Sequence, residues 1–220
     1  MTYQTYADLG GQLGHGPVRP EPEGELFHAA WEPRALALTL AMGATGSWNI
    51  DMSRAARETL PDYARLSYYE IWVHGLEKLL LERGLLQPGE VERGAGDGPA
   101  AVLPRVLKAA EVAAALARGS PTARPGPAPA FAVGDEVRLR SEPVPHHTRL
   151  PGYARGKRGT VIASHGAHVF ADAHAQGAGE QACPLYTVAF SGSELWTGEP
   201  GAVGLTVSID AWEPYLERAA

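Results

Sequence analysis

The clearest hydrophobic pattern in the chain lies between residues 63 and 83. Leu66, Tyr69, Trp72, Val73, Leu76, Leu79 and Leu80 recur there at spacings of three and four. That period puts them on one stripe of a helix, and Gly84 stands where a helix stops. Residues 26–44 also read as helical, with Pro33 in the first turn and Gly43 as a stop. Their apolar side chains, Leu26, Phe27, Trp31, Leu36, Leu38 and Leu40, are too dense for a solvent-exposed face. Asn49 or Asp51 caps a shorter helix that runs to about Leu60 and ends at Pro61. Residues 102–118 predict a further, alanine-rich helix. From Gly119 to Pro129 the residues are Gly, Ser, Pro, Thr, Ala and Arg, a linker by composition. Beyond it the period changes to two. Val137 and Leu139 alternate with charged residues, and residues 159–164, 185–190 and 205–209 are three more strand candidates. Short strands separated by turn residues at this spacing predict a small antiparallel barrel or roll.

The domain plan follows. Residues 1–25 are irregular, punctuated by Gly10, Gly11, Gly14, Gly16, Pro17, Pro20 and Pro22. Tyr3, Tyr6, Leu9 and Leu13 argue against plain disorder, so an arm draped over a partner is one reading. Residues 26–118 form a helical domain, residues 119–130 the linker, and residues 131–220 the strand-rich domain. The fold class is α+β.

Composition narrows the function. At 220 residues with 45% hydrophobic side chains, the chain can bury a real core. The formal net charge of −6 argues against a nucleic-acid binder held by bulk charge. Cys183 is the one cysteine, which excludes an internal disulfide framework and a cysteine-cluster metal site built by this chain alone. The first residues carry no basic and apolar signal pattern, and no apolar run is long enough to span a membrane. A cytoplasmic protein is the expectation.

One window departs from the acidic average. Residues 144–166 hold Arg149, Arg155, Lys157 and Arg158 with no Asp or Glu, punctuated by Gly152, Gly156 and Gly159. A Gly-rich loop that presents arginines and then enters a strand predicts an anionic target, because arginine suits multi-donor recognition of oxyanions. Arg54, early in a short helix, is a second candidate. The histidines, including the pair His146 and His147 with His165, His168 and His174, lack the spacing of a zinc set and read as loop and surface residues. Cys183 has no neighbouring base in the sequence, and no Gly-X-Ser-X-Gly occurs, so nucleophilic catalysis is unsupported. Tyr63, Tyr68, Tyr69 and Trp72 sit at helical spacing, where aromatics are usually core. Tandem Tyr68 and Tyr69 cannot face one way, so one presents its hydroxyl at an edge.

A series of short stretches, in order and at consistent spacing, resembles one family. They include Asp8-Leu-Gly-Gly, Asn49-Ile-Asp-Met-Ser-Arg54, Ser67-Tyr-Tyr-Glu-Ile-Trp72, Phe131-Ala-Val-Gly-Asp-Glu-Val-Arg138 and His147-Thr-Arg149. Tyr153-Ala-Arg-Gly-Lys-Arg-Gly-Thr-Val161, Leu185-Tyr-Thr-Val188, Glu194-Leu-Trp196 and Trp212-Glu-Pro-Tyr-Leu-Glu217 continue it. Over nearly its whole length the chain resembles the beta subunit of nitrile hydratase.

The resemblance implies an enzyme that hydrates small nitriles to amides at a cobalt(III) or iron(III) centre. That metal is held by cysteines of an alpha subunit, two of them oxidised to sulfenic and sulfinic acids. It implies that Arg54 and Arg155 hydrogen-bond those oxygens, and that this chain holds no metal itself. Ile50, Tyr68, Tyr69 and Trp72 match positions in or near the substrate pocket, and His147 matches a support residue. The implied fold is an arm embracing the alpha subunit, a helical domain and an SH3-like barrel, assembled as αβ or α2β2 without nucleic acid or membrane. Ser53, Ile71 and Thr39 depart from bulkier or aromatic residues common in the family, so a wider or reshaped pocket is expected. Three other readings compete: a maturation or interaction protein that binds an alpha-like chain, an RNA-binding barrel, and a thiocyanate-acting relative.

Overall fold

A computed structural model describes residues 5–12, 14–96 and 98–219. Tyr3 and Leu13, which entered the argument for the arm, lie outside the described residues. The chain divides into two compact units, one of residues 5–7 and 14–120, the other of residues 8–12 and 121–219. One is helical and the other is built on an antiparallel sheet, which makes the chain α+β.

The helical unit contains α1 (Glu32–Gly43), α2 (Ile50–Glu58), α3 (Tyr68–Glu82), α4 (Glu90–Arg93) and α5 (Val112–Arg118). The α1 helix starts later than its apolar run predicts. The Glu32 carboxylate accepts the backbone N–H groups of His28 at 2.6 Å and Ala29 at 3.3 Å, tying the preceding residues into a turn. Its apolar side chains are also less buried than expected. Leu38 is 51% exposed and Trp31 43% exposed, because the run covers more than one face and only Glu32, Ala35 and Thr39 are buried.

At the start of α2 the Asn49 side chain caps the helix, accepting from Asp51 N at 3.0 Å and Met52 N at 2.9 Å. The segment before α3 is a separate 3-10 turn, Tyr63–Arg65, and the helix proper begins after Ser67. It ends as its glycine predicts: Gly84 has φ +64° and Leu85 N–H donates to Leu80 O at 2.8 Å. Leu76 and Leu79 of α3 bury against Trp48 and Ala56, with Met42, Met52, Leu80 and Leu85 around them. Gly75 permits the approach of α2, since a Cβ there would stand 2.6 Å from Arg57 Cγ.

The long helix expected over residues 102–118 forms only at its end, as the 3-10 turn Ala109–Glu111 and α5. Alanine propensity lost to Pro104, which removes a backbone donor and disfavours helical angles at Leu103.

The start of α3 makes one expected result checkable. Glu70 accepts the Ser67 N–H at 2.7 Å, and that bond lowers the carboxyl below its usual range. The stabilisation is therefore present above the unfolded carboxylate value and is lost as pH falls through the lowered folded value. Amide-exchange protection at Ser67, corrected for intrinsic rate, is expected to fall on acidification, and Glu70→Ala to abolish that dependence. A pH-independent protection in the unaltered chain would refute the cap.

The second unit contains β1 (Glu136–Leu139), β2 (Arg158–His168), α6 (Ala171–Ala175), β3 (Cys183–Ser191), α7 (Gly192–Leu195), β4 (Thr206–Trp212) and β5 (Leu216–Arg218). All pairings are antiparallel, in the order β4-β3-β2-β1-β5. Alternation is strict on β3, where Pro184, Tyr186, Val188 and Phe190 point inward. They meet Val137, Leu139, Leu150, Val161, Ala211, Tyr215 and Leu216 in one core. Gly159 marks a close approach: a Cβ would stand 2.7 Å from Ala189 O and 2.8 Å from the Phe190 ring.

The closed barrel expected from strand spacing is not what the ladder shows. Among the described residues β4 and β5 do not pair with each other, so both are edges and the sheet is open. The β5 strand is short, three residues that pair with β1 along one edge. Register slips in β2 between Val161 and Ala163 and between Ser164 and Ala167 add curvature. Part of the proline-rich stretch lies beside β2. Arg124 N–H donates to Ala167 O at 2.9 Å, Val169 N–H to Thr122 O at 2.9 Å, and the Arg124 guanidinium forks onto Glu180 with two bonds of 2.8 Å.

Candidate functional site

The helical unit gathers Ile50, Arg54, Tyr68, Tyr69 and Trp72 on two neighbouring helices. Arg54 lies one turn into α2, where its Nη1 donates to Asp51 Oδ1 at 2.7 Å. Asp51 is buried and the Arg54 side chain is 43% exposed, so the carboxylate anchors one edge of a guanidinium that faces outward. On α3 the rings of Tyr68, Tyr69 and Trp72 pack at 5.1–6.1 Å between centroids, and Phe27 joins Tyr69 at 5.4 Å. Of the tandem tyrosines, Tyr68 is the outward one, at 64% exposed. Ile50 is also exposed.

Sequence reasoning missed Arg57. Its guanidinium lies 4.1 Å above the Trp72 ring and donates to Ser53 Oγ at 2.9 Å. Burial lowers its pKa from the ordinary arginine value, with the positive charge of Arg54 adding to the effect. Ser53 is thus buried beneath Arg57 rather than open to a pocket. Thr39 is likewise buried, its hydroxyl donating to Ala35 O of its own helix at 2.9 Å. The i, i+4 spacing of Ser53 and Arg57 was the available signal for that contact.

The sheet unit carries His147 and Arg155 on one irregular loop. A 3-10 turn, Gly152–Ala154, and a left-handed Gly156 at φ +72° shape it. Arg155 Nη2 lies 3.5 Å from Leu150 O. Its Nε is buried and has no hydrogen-bond partner among the described residues. His147 is buried at 3%. Arg158, by contrast, is exposed, and its backbone N–H donates to Glu194 Oε1 at 2.8 Å.

Two residues that the sequence did not single out stand behind this loop. Tyr215 Oη donates to Asp172 Oδ1 and accepts from Arg149 N at 3.0 Å and Thr148 Oγ1 at 3.2 Å. Burial raises the Asp172 carboxyl, opposed by the bonds from Tyr215 and Thr148 and by His146 and His147. Burial first, and the Asp172 charge second, push the Tyr215 phenol far above its usual value.

Among the described residues no group of three or more His, Cys, Asp or Glu side chains is placed to hold a metal ion. His165 bonds Thr187 Oγ1 at 2.7 Å and His168 bonds Thr122 Oγ1 at 3.0 Å, each engaged in the sheet's own packing. Cys183 is half-buried, and burial pushes its thiol up to about 11, helped by Glu213 and Asp172. A thiol held protonated is a poor metal ligand. No helix among the described residues is long and apolar enough to cross a membrane.

Among the described residues, α2 and α3 carry an exposed arginine and an exposed aromatic side chain, and the sheet unit carries an arginine loop. Residues 3–118 match the family described as nitrile hydratase beta subunit, N-terminal, and residues 120–218 match nitrile hydratase beta subunit, C-terminal. The low-molecular weight cobalt-containing nitrile hydratase subunit beta of Rhodococcus rhodochrous is 40% identical over 95% of this chain and 96% of its own length. The nitrile hydratase subunit beta of Pseudomonas putida is 38% identical over 96% and 98%. The cobalt-containing nitrile hydratase subunit beta of Pseudonocardia thermophila is 34% identical over 96% and 94%. Among solved structures, a recombinant apo thiocyanate hydrolase from Thiobacillus thioparus is 31% identical, covering 41% of this chain and 76% of that one with a TM-score of 0.39. The chain is thus a subunit of a hydro-lyase. It belongs to the nitrile hydratase beta subunit family.

Proposed function

We propose that this chain pairs with a metal-binding alpha subunit and completes an enzyme that hydrates small nitriles to amides. The observation that carries the reading is Arg155 Nε, a buried donor without an acceptor among the described residues. A buried donor left unpaired is costly, and a small opening of its loop on assembly would turn it toward an oxygen of an oxidised cysteine of the partner. Arg54 offers a second, half-exposed guanidinium already oriented by Asp51. Charge-assisted bonds from both would hold the sulfur oxygens in place around the metal. The metal, held by the partner, would supply Lewis-acid polarisation. What this chain supplies is positioning: Tyr68, Tyr69, Trp72 and Ile50 would shape an apolar pocket, and His147 would support the arginine loop.

The cobalt-containing names of two relatives favour cobalt over iron. Residues 14–25, exposed throughout, fit the later part of an arm over residues 1–25 laid on the partner, in an αβ or α2β2 assembly. The strand order β4-β3-β2-β1-β5 with a 3-10 turn, Glu213–Tyr215, before β5 supports an SH3-like class for the sheet unit. A free thiol as the one cysteine fits a cytoplasmic location.

Affinity purification of the tagged chain from its own host tests the reading. A stoichiometric partner carrying a cysteine-rich metal motif, bound cobalt and amide production from nitriles are expected. Recovery of a metal-free chain alone, or of RNA, would overturn it.

A further inference from the structure

We propose that Asp172 and Tyr215 are positioning residues for Arg155, acting through the turn Thr148–Leu150. The inference rests on the reading of Arg155 given above. The Arg155 end of the loop is held by backbone bonds, Arg155 N–H to Gly152 O at 3.2 Å and Gly156 N–H to Leu139 O at 3.0 Å. Its earlier part, Thr148 to Leu150, is tied to the rest of the unit by a single phenol. Tyr215, just before β5, receives the Arg149 N–H and the Thr148 hydroxyl, and passes its own proton-donor bond to Asp172 on α6. Thr148 Oγ1 then accepts Leu150 N–H at 3.2 Å, closing the turn. The carbonyl of that same Leu150 faces Arg155 Nη2 at 3.5 Å. Three segments far apart in sequence therefore meet at one oxygen, and the end of the chain of bonds is the guanidinium.

The energetics argue that this network is kept for geometry. Asp172 is 3% exposed. Its second oxygen faces His146 Nδ1 at 3.8 Å, and that ring nitrogen also lies 2.9 Å from His147 O. Burying a carboxylate against a neutral phenol gains little over apolar side chains of the same volume. A fully bonded polar network does, however, select one arrangement of the loop above it. The Tyr215 ring needs no hydroxyl to pack, since Phe170 and Trp212 hold it at 5.7 and 6.1 Å. The hydroxyl is thus available for a separate task.

Tyr215→Phe in the αβ holoenzyme removes only that oxygen. Arg149 amide exchange is expected to accelerate by about tenfold or more, because its acceptor is gone. The kcat is expected to fall about tenfold with KM within about twofold, and the double variant Tyr215→Phe/Arg155→Lys to be no slower than Arg155→Lys alone. Asp172→Asn, which keeps an oxygen for the phenol, should act in the same direction and more weakly. It also serves if Tyr215→Phe fails to fold. Unchanged exchange at Arg149, or losses that multiply in the double variant, would overturn the positioning role alone. Wild-type turnover in Arg155→Lys would instead refute the assignment of Arg155, and this proposal with it.

Discussion

Arg155→Lys is expected to lower kcat of the assembled enzyme by about 10–100-fold without preventing assembly. The lysine keeps the positive charge but presents one compact ammonium where the guanidinium presents a planar fork. The proposed bonds to an oxidised sulfur would be charge-assisted, worth about 1.5–3 kcal/mol in a protected setting. Each 1.4 kcal/mol is about tenfold in rate. Arg54→Lys should act in the same direction with a smaller loss, because Arg54 is 43% exposed and already shares its charge with Asp51. Steady-state kinetics on variants shown by size exclusion to retain their partner distinguishes the cases. Wild-type turnover in both would sink the arginine assignment.

The largest stability effect is expected at the centre of the sheet unit. Phe190 is 1% exposed and packs with Val137, Val161, Tyr186 and Val188 in the core. Phe190→Ala removes a ring that its close-packed neighbours cannot collapse to replace. A cost of about 3–5 kcal/mol is expected, or a fall of about 12–25 °C in the midpoint of thermal unfolding for a unit of this size. Calorimetry on the whole chain reads it directly. A shift of only a few degrees would mean that the core is looser than its burial implies.

Much of this architecture was legible from periodicity. The alternation on β1 and β3 and the Asn49 cap depend on residues close together in sequence, and the structure carries both. Of the α3 stripe, Leu76 and Leu79 are buried, while Val73 is exposed and Leu66 precedes the helix. The misses have a physical pattern. Apolar density over the α1 run predicts burial, yet density does not say which faces meet a neighbour, and Leu38 and Trp31 are exposed. In the stretch before α5, one proline outweighs the helix propensity of the alanines. The β5 strand is three residues long and forms only because β1 offers it a ladder.

The site divided in the same way. Arg155 is marked in the sequence by its basic, glycine-punctuated loop, and Arg54 by the resemblance carried by Asn49-Ile-Asp-Met-Ser-Arg54. Asp172 and Tyr215 are not, since each is ordinary alone and their bond joins positions 43 residues apart. The stacking of Arg57 on Trp72 was hidden for the same reason. Pairwise contacts across a core leave no trace in one-dimensional spacing unless both partners are unusual.

The half-buried Cys183 carries a consequence for reactivity: burial pushes its thiol up to about 11, so little thiolate is present at neutral pH. A thiol held protonated in this way is a poor target for oxidants that act on thiolates.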